Sequence, residues 1–99
     1  DLAAEHPDDL RLRLKDETPL NRVLAIQVAA RFWHPLESNL IDMLADPVPQ
    51  VREAAPTALA RLSRGNDFGP PNQASPKQIQ GAQRAWGAWL ELQQKALAN

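Results

Sequence analysis

The chain has 99 residues, with 11 Lys or Arg against 12 Asp or Glu, and a net charge of −1. That balance supplies no overall field to attract nucleic acid or acidic lipid, and the length fits one domain with one core. Because the sequence has no Cys, disulfides, thiolate catalysis and zinc-thiolate sites are excluded. The lack of Tyr and the abundance of Ala, Leu, Gln and Arg favour an all-α fold.

The first predicted element is a short helix within residues 1–14. Leu10, Leu12 and Leu14 alternate with arginines in a period of two that would also suit a strand. A helix is favoured because Pro7 suits a first helical turn and two aspartates follow it, where acidic side chains complement the helix N-terminus. His6 is then a solvated residue near the helix start.

The second predicted helix begins with Thr18 as N-cap and Pro19 at its first position, and runs to about Trp33. Pro35 stops it, because the residue before a proline is pushed out of the α region. Much of its circumference is apolar, which suits a helix between two neighbours. The predicted buried positions are Leu20, Val23, Leu24, Ile26, Val28, Ala30, Phe32 and Trp33.

A similar pair of helices follows. Pro35 opens the third helix, which buries Leu36, Leu40, Ile41 and Leu44, and a turn over 46–49 leads into the fourth. The fourth helix faces inward with its small and apolar residues Val51, Ala54, Ala55, Ala58, Leu59 and Leu62. Pro56 lies inside it, and we expect a kink over 52–56 because an interior proline removes a backbone hydrogen bond.

Residues 65–75 form the one long loop, and Phe68 is its only large apolar residue. Phe68 either anchors the loop from beneath or is exposed for binding. Ser75 and Gln78 form a capping box that starts a helix over 76–97. Its predicted buried stripe comprises Ile79, Ala82, Trp86, Trp89, Leu90, Gln93 and Leu97. Two glycines inside it, at 81 and 87, are expected to permit close contact with neighbouring helices.

Residues 14–34 and 44–64 are related by a shift of 30 residues, with seven of 21 positions identical. The shared residues are Leu14/Leu44, Asp16/Asp46, Pro19/Pro49, Arg22/Arg52, Ala25/Ala55, Ala30/Ala60 and Arg31/Arg61. Such a fixed period is typical of stacked helical units. The pattern resembles HEAT and HEAT-like repeats of the short bacterial type, in which an Asp lies in the turn between two helices and an Arg lies in the second helix.

The resemblance implies a short, right-handed α-solenoid: repeat one over about 5–34, repeat two over 35–64, and a C-terminal capping helix after the loop. It also implies a ladder of polar contacts between successive turns, formed by Asp16, Arg22, Asp46 and Arg52. The segment DFGPP followed by AWGAWL resembles the C-terminal ends of bacterial HEAT-repeat proteins of planctomycete type, which supports the capping helix.

The sequence offers little catalytic chemistry. Its serines, Ser38, Ser63 and Ser75, lie near helix boundaries without a surrounding motif. His34 and Glu37 could form a hydrogen bond or half of a metal site, but two ligands do not complete one. We therefore expect no enzyme activity and no cofactor; a small enzyme or enzyme accessory subunit is one alternative function.

A nucleic-acid-binding module is the other alternative, and it needs basic residues gathered on one face. Arg22 and Arg31 are nine residues apart, as are Arg52 and Arg61, which places each pair on opposite sides of its helix. This spacing argues against a basic stripe, so we expect no nucleic-acid partner.

Protein recognition is the function that this reasoning favours, as an interaction module or structural subunit. Solenoids ordinarily close both ends, yet no polar closing helix is evident on the N-terminal side. The expected partner is another protein chain, the remainder of a longer parent chain or a second copy. The predicted contact residues are Leu2, Leu10, Leu12, Phe32, Trp33 and Phe68. The alternative is a closed bundle with the N-terminal apolar residues inside.

Membrane insertion is not expected, because the longest apolar run is far below about 18 residues. The compartment is undetermined by the sequence. Because the sequence lacks an initiator Met, we expect either a processed protein or a piece of a longer one, and the expectation leans toward an exported or processed bacterial protein.

Overall fold

The computed structural model describes residues 6–98, which contain five α-helices, one 3₁₀ turn and no strand. The helices are α1 (Pro7–Arg13), α2 (Pro19–Arg31), α3 (Glu37–Asp42), α4 (Pro49–Leu62) and α5 (Pro76–Ala98), and the 3₁₀ turn is Met43–Ala45. The predicted all-α composition is therefore confirmed for the described residues. None of these helices combines the length and apolarity needed to cross a membrane.

The leucines before residue 15 follow helical rather than strand geometry. His6 is the N-cap of α1, and its Nδ1 accepts a hydrogen bond of 3.1 Å from the Asp8 N–H. Leu10 and Leu14, one helical turn apart, are buried, whereas Leu12 is 72% exposed. The helix therefore separates three leucines that the alternating sequence pattern treats alike.

The two interhelical turns are organised by aspartates. Thr18 occupies the N-cap position of α2, but its side chain makes no capping hydrogen bond. Oδ1 of Asp16 instead accepts from the Thr18 N–H at 2.8 Å, and Oδ1 of Asp46 accepts from the Val48 N–H at 2.9 Å. An Asx turn two residues upstream explains why Val48, which cannot cap, replaces the threonine in the second turn.

Helix α2 ends at Arg31, two residues before the predicted end. Trp33 adopts a left-handed conformation with φ of +57°, and the His34 N–H donates to the Ala29 carbonyl at 2.9 Å to close the helix. This change of direction leaves the Trp33 ring half exposed. Its predicted place in the buried stripe of α2 is therefore wrong. Leu20, Leu24 and Phe32 are also exposed.

Helix α3 begins at Glu37, so Pro35 and Leu36 precede it rather than open it. The Leu36 side chain is nevertheless fully buried, as are Leu40 and Leu44. The 3₁₀ turn continues the chain from α3 toward Asp46. All the residues predicted to be buried in this segment are thus in the core, although the regular helix is only six residues long.

Helix α4 continues through Pro56 without a break in the helix. It buries Val51, Ala55, Ala58 and Leu59, and its most extensive helix contact is with α2. The small residues let the two helix backbones approach closely. Helix α1 packs against α2, and α3 packs against α4.

Helix α5 packs against α3 and the 3₁₀ turn. Its capping box is formed as predicted: Ser75 Oγ accepts from the Gln78 N–H at 3.2 Å, and Gln78 Oε1 accepts from the Ser75 N–H at 2.8 Å. Ala82 and Trp86 are buried, but Leu97 is 88% exposed and Gln93 is exposed. Their predicted burial is wrong because α5 has 23 residues, and α3 with the 3₁₀ turn offers only six and three residues to cover it.

The glycines of α5 do not serve close packing. A Cβ built at Gly81 or Gly87 would meet no atom within 4 Å outside the local helix. The predicted close contact at these positions is therefore wrong. Both sites have room for a side chain, so each glycine only adds conformational freedom to the unfolded chain.

Candidate interaction surface

The two helix pairs are joined by a contact between Arg22 and Asp46. Nε of Arg22 lies 3.0 Å from Oδ2 of Asp46, and its Nη2 donates to Oδ1 at 3.1 Å. Only 12% and 11% of the two side chains are exposed. Nε of Arg22 is buried and makes no hydrogen bond in spite of this short distance. One charge-assisted hydrogen bond, from Nη2, therefore ties the start of α2 to the turn before α4.

Each arginine also binds the turn that precedes its own helix. Nη1 of Arg22 donates to the carbonyls of Asp16 and Glu17 at 2.6 and 3.3 Å. Nη1 of Arg52 does the same with the carbonyls of Asp46 and Pro47, at 2.8 and 3.1 Å. Residues that are related by the 30-residue shift therefore make the same arginine–carbonyl hydrogen bonds in both turns.

The polar contacts end at Asp16 on one side and at Arg52 on the other. Oδ1 of Asp16 accepts from the Thr18 N–H and from Nδ2 of Asn21, at 2.8 and 3.3 Å. The Thr18 backbone N–H, followed by the Asn21 amide, lowers the pKa of Asp16. No described arginine reaches this carboxylate in the way that Arg22 reaches Asp46. Likewise, Nε and Nη2 of Arg52 bind no described residue.

Arg61, another arginine that recurs with the 30-residue shift, connects the C-terminal ends of α2 and α4. Nε of Arg61 donates to the Ala30 carbonyl at 2.9 Å. That carbonyl is available because α2 ends one residue later, and the last carbonyls of a helix lack an internal partner. Arg31, the equivalent residue 30 positions earlier, is exposed. Its guanidinium lies 5.6 Å from the Phe32 ring centroid and donates no hydrogen bond to a described residue.

The side of α2 that faces away from α4 carries uncovered apolar residues. On α4, Ala54 and Ala58 line one groove together with Ile26 and Ala30 of α2. The equivalent residues 30 positions earlier, on α2, are Leu24, which is 49% exposed, and the half-buried Val28. The equivalent positions on α2 are therefore apolar too, but Leu24 is exposed and Val28 is covered only in part by the core.

These residues line an open groove of about 690 Å³ beside α1 and α2, which we call the N-terminal groove. Its lining includes Asp16, Asn21, Leu24, Val28, Arg31 and Phe32. The lining contains one carboxylate, Asp16, and two arginines, Arg13 and Arg31, together with apolar side chains.

The sequence-predicted contact residues lie in several places. Leu2 falls outside the described residues. Leu10 is fully buried in the core, and it also borders the N-terminal groove. Leu12 is exposed on α1, outside the groove lining, whereas Phe32, which is 37% exposed, lines the groove.

Trp33 faces α4 rather than the N-terminal groove. The guanidinium groups of Arg61 and Arg64 lie 5.1 and 5.5 Å from its ring centroid. The left-handed turn after α2 directs the ring toward the end of α4. Trp33 therefore helps to join the two helix ends and does not share a surface with Leu12 or Phe32.

Phe68 anchors the loop between α4 and α5. Its ring meets Trp86 edge to face, with centroids 4.8 Å apart, and Nε1 of Trp86 donates to the Gly69 carbonyl at 2.9 Å. Gly69 has φ of +79°, and its N–H donates to Oδ1 of Asp67 at 3.0 Å. The buried indole thus fixes the loop to α5, although 39% of Phe68 remains exposed.

The remaining candidates for chemistry have structural contacts. Oγ of Ser63 donates to the Ala60 carbonyl at the end of α4, and Ser75 caps α5. Burial raises the pKa of the Glu37 carboxyl, and Nε2 of His34 is buried without a hydrogen-bond partner. Among the described residues, no three His, Cys, Asp or Glu side chains come together as a metal site would require.

Sequence reasoning missed the roles of Leu24, Arg31 and Trp86. The 30-residue shift contained the signal for Arg31, because Arg31 and Arg61 are identical in the two repeats. The hydrogen bond from Trp86 to Gly69 had no such signal, since it joins residues 17 positions apart through a loop.

Comparison of the chain with known protein families, with curated proteins and with solved structures found no match.

Proposed function

We propose that this chain is a short, HEAT-like α-solenoid module without catalytic function, which binds another protein through the N-terminal groove. The single observation that carries the proposal is the exposed apolar side of α2. Leu24 and Val28 are equivalent, by the 30-residue shift, to Ala54 and Ala58 of α4; Leu24 is 49% exposed, and Val28 is only partly buried against the core. Full burial of an aliphatic side chain contributes about 1.5–3 kcal/mol, so covering this side would be favourable.

The repeated turn supports the solenoid part of the proposal. The same carbonyl contacts surround Arg22 and Arg52, and Arg22 links one turn to the next. On the other side of the pairs, α5 covers α3 and the 3₁₀ turn, as a terminal helix would. In such an assembly, a further helical repeat could stack only on the side formed by α1 and α2.

The arrangement of the arginines supports a protein partner over nucleic acid. Arg22 and Arg52 donate to turn carbonyls, whereas Arg61 lies at the opposite end of the helices. Among the described residues, the basic side chains that line the N-terminal groove are Arg13 and Arg31, which are too few for the row of basic residues on which nucleic-acid affinity depends.

The test is recovery of a partner from a lysate of the source organism by the immobilised chain. Leu24→Asp should abolish recovery because it places a charge in the apolar part of the groove. Leu92→Asp is the matched control: Leu92 is 65% exposed on α5, away from the groove, and its variant should retain the partner. Circular dichroism must show that both variants remain folded. Equal recovery by all three proteins would overturn the proposal.

A further inference from the structure

We propose that the N-terminal groove binds a helix of a partner protein that carries an arginine near its N-terminus, an apolar residue four positions later and an alanine eight positions later. The inference rests on the proposed function and specifies the partner. Its template is α2 itself, whose Arg22, Ile26 and Ala30 have this spacing. Arg22 pairs with Asp46 in the turn before α4, and Ile26 and Ala30 line one groove with residues of α4. The partner helix would lie on α2 as α2 lies on α4.

The carboxylate of Asp16 defines where the partner arginine belongs. Asp16 has the same turn geometry as Asp46, with Oδ1 held by the N–H two residues later. Oδ1 of Asp46 also accepts from Nη2 of Arg22, and its Oδ2 lies 3.0 Å from Nε of Arg22. At Asp16, Arg22 donates to the backbone carbonyl and not to the carboxylate. An incoming guanidinium can therefore pair with the carboxylate of Asp16 as Arg22 pairs with that of Asp46.

Arg31 defines the other end of the partner helix. Its counterpart Arg61 donates to the carbonyl of Ala30, one residue before the end of α2. A partner helix that ends in the same register presents an unpaired carbonyl to Arg31. The distance between Asp16 and Arg31 therefore favours a partner helix of about the same length as α2. Such a helix would cover Leu24 and Val28.

A second copy of this chain fits the groove less well than a separate helix. The copy would have to present Arg52, Pro56 and Ala60 of its α4. The Ala60 carbonyl already accepts from the Gly65 N–H at 2.7 Å and from Ser63 Oγ at 3.2 Å, so it is not available to Arg31. Residues 70–74 also lie beside Arg52 and Pro56, where together they line a groove of about 400 Å³.

The test uses a lactam-stapled, fluorescently labelled peptide with residues 18–32 of this chain, the segment that already packs on the equivalent side of α4. We expect the anisotropy to show saturable binding to the wild-type protein. Arg22→Ala in the peptide, or Asp16→Ala in the protein, should weaken binding at least about tenfold, as loss of a charged hydrogen-bonded pair does. Asp42→Ala, at an exposed aspartate of α3, is the control and should leave binding unchanged.

Charge exchange is the decisive measurement. The Asp16→Arg protein should not bind the wild-type peptide, and it should regain binding to a peptide with Arg22→Asp. Absence of rescue in a folded variant overturns the proposal, as does binding that is unaffected by either single change. Light scattering of the protein alone tests whether a second copy of the chain binds the groove. If the measured mass rises with protein concentration and Arg52→Ala lowers it, a second copy is the occupant, and the proposal is overturned.

The two proposals fail in different ways. If a recovered partner is lost with Leu24→Asp but retained with both Asp16→Ala and Arg31→Ala, the groove binds a protein and the arginine-bearing helix is the wrong occupant. If recovery is insensitive to Leu24→Asp, the proposed function itself is wrong.

Discussion

Arg22 and Asp46 form an ion pair between the two helix pairs, with a hydrogen bond of 3.1 Å from Nη2 of Arg22 to Oδ1 of Asp46. Arg52 makes equivalent backbone contacts, and no carboxylate of a described residue pairs with it. The two arginines therefore differ in one interaction only. This difference makes Arg52 an internal reference for the energy of the Arg22–Asp46 pair.

Arg22→Ala is expected to lower the free energy of unfolding by about 3 kcal/mol, because it leaves a nearly buried carboxylate without its ion-pair partner. Arg52→Ala should cost about 1 kcal/mol, since only neutral carbonyl acceptors lose a donor. Urea unfolding followed by circular dichroism measures both values. Equal losses would mean that the contact between the helix pairs adds nothing beyond the turn hydrogen bonds.

The same substitution is expected to have a large effect on stability at Leu10 and a small one at Leu12. Leu10→Asp should prevent stable folding, because it buries an unpaired charge in the core. Leu12→Asp should change the free energy of unfolding by no more than about 0.5 kcal/mol, since the side chain lies in solvent. Thermal unfolding distinguishes them, and a large loss with Leu12→Asp would contradict the register of α1.

Trp86→Phe is expected to cost about 1–3 kcal/mol, because the Gly69 carbonyl loses the Nε1–H donor and the buried ring becomes smaller. Trp89→Phe is the control: Trp89 is half-buried, and its indole N–H binds no described residue. Urea titration of the two variants should show the larger loss for Trp86. Increased cleavage of the loop by protease should accompany that loss alone.

Gly81→Ala and Gly87→Ala should each stabilise the protein by about 0.5–1 kcal/mol, because alanine favours the helix and its Cβ meets no neighbour. Gly69→Ala should destabilise it, since φ of +79° strains a residue with a side chain. Differential scanning calorimetry gives the sign of each change. A loss of stability at 81 or 87 would reveal a contact that the described residues do not make.

Glu37→Gln is expected to raise stability at pH 7, because burial raises the pKa of the Glu37 carboxyl and makes its ionised form unfavourable in the folded state. A carboxyl with a raised folded-state pKa binds its proton more readily in the folded protein. Its penalty therefore shrinks as pH falls through that pKa toward the unfolded value, and the melting-temperature gain of Glu37→Gln should shrink with it.

The control for this pH dependence is Glu91→Gln, at an exposed position on α5. It should change the melting temperature little at either pH 7 or pH 4.5. A gain for Glu37→Gln that is constant over this range would show that the amide acts through packing rather than through removal of the charge.

The sequence by itself determined the helices and most of their ends, because these depend on local interactions. Pro19, Pro49 and Pro76 start helices, and Ser75 with Gln78 forms a capping box within one turn. The 30-residue shift likewise identified the residues of both turns, since each turn is closed by hydrogen bonds within seven residues of sequence.

Only the tertiary structure decided which apolar residues are covered. Helical periodicity identifies an apolar side of a helix but not how far its neighbour extends, so Leu97 has the pattern of a buried residue and lies in solvent beyond α3. The same is true of Leu24, whose counterpart Ala54 meets α2. Burial depends on contacts between residues distant in sequence, and that is why the structure alone separates the core from the N-terminal groove.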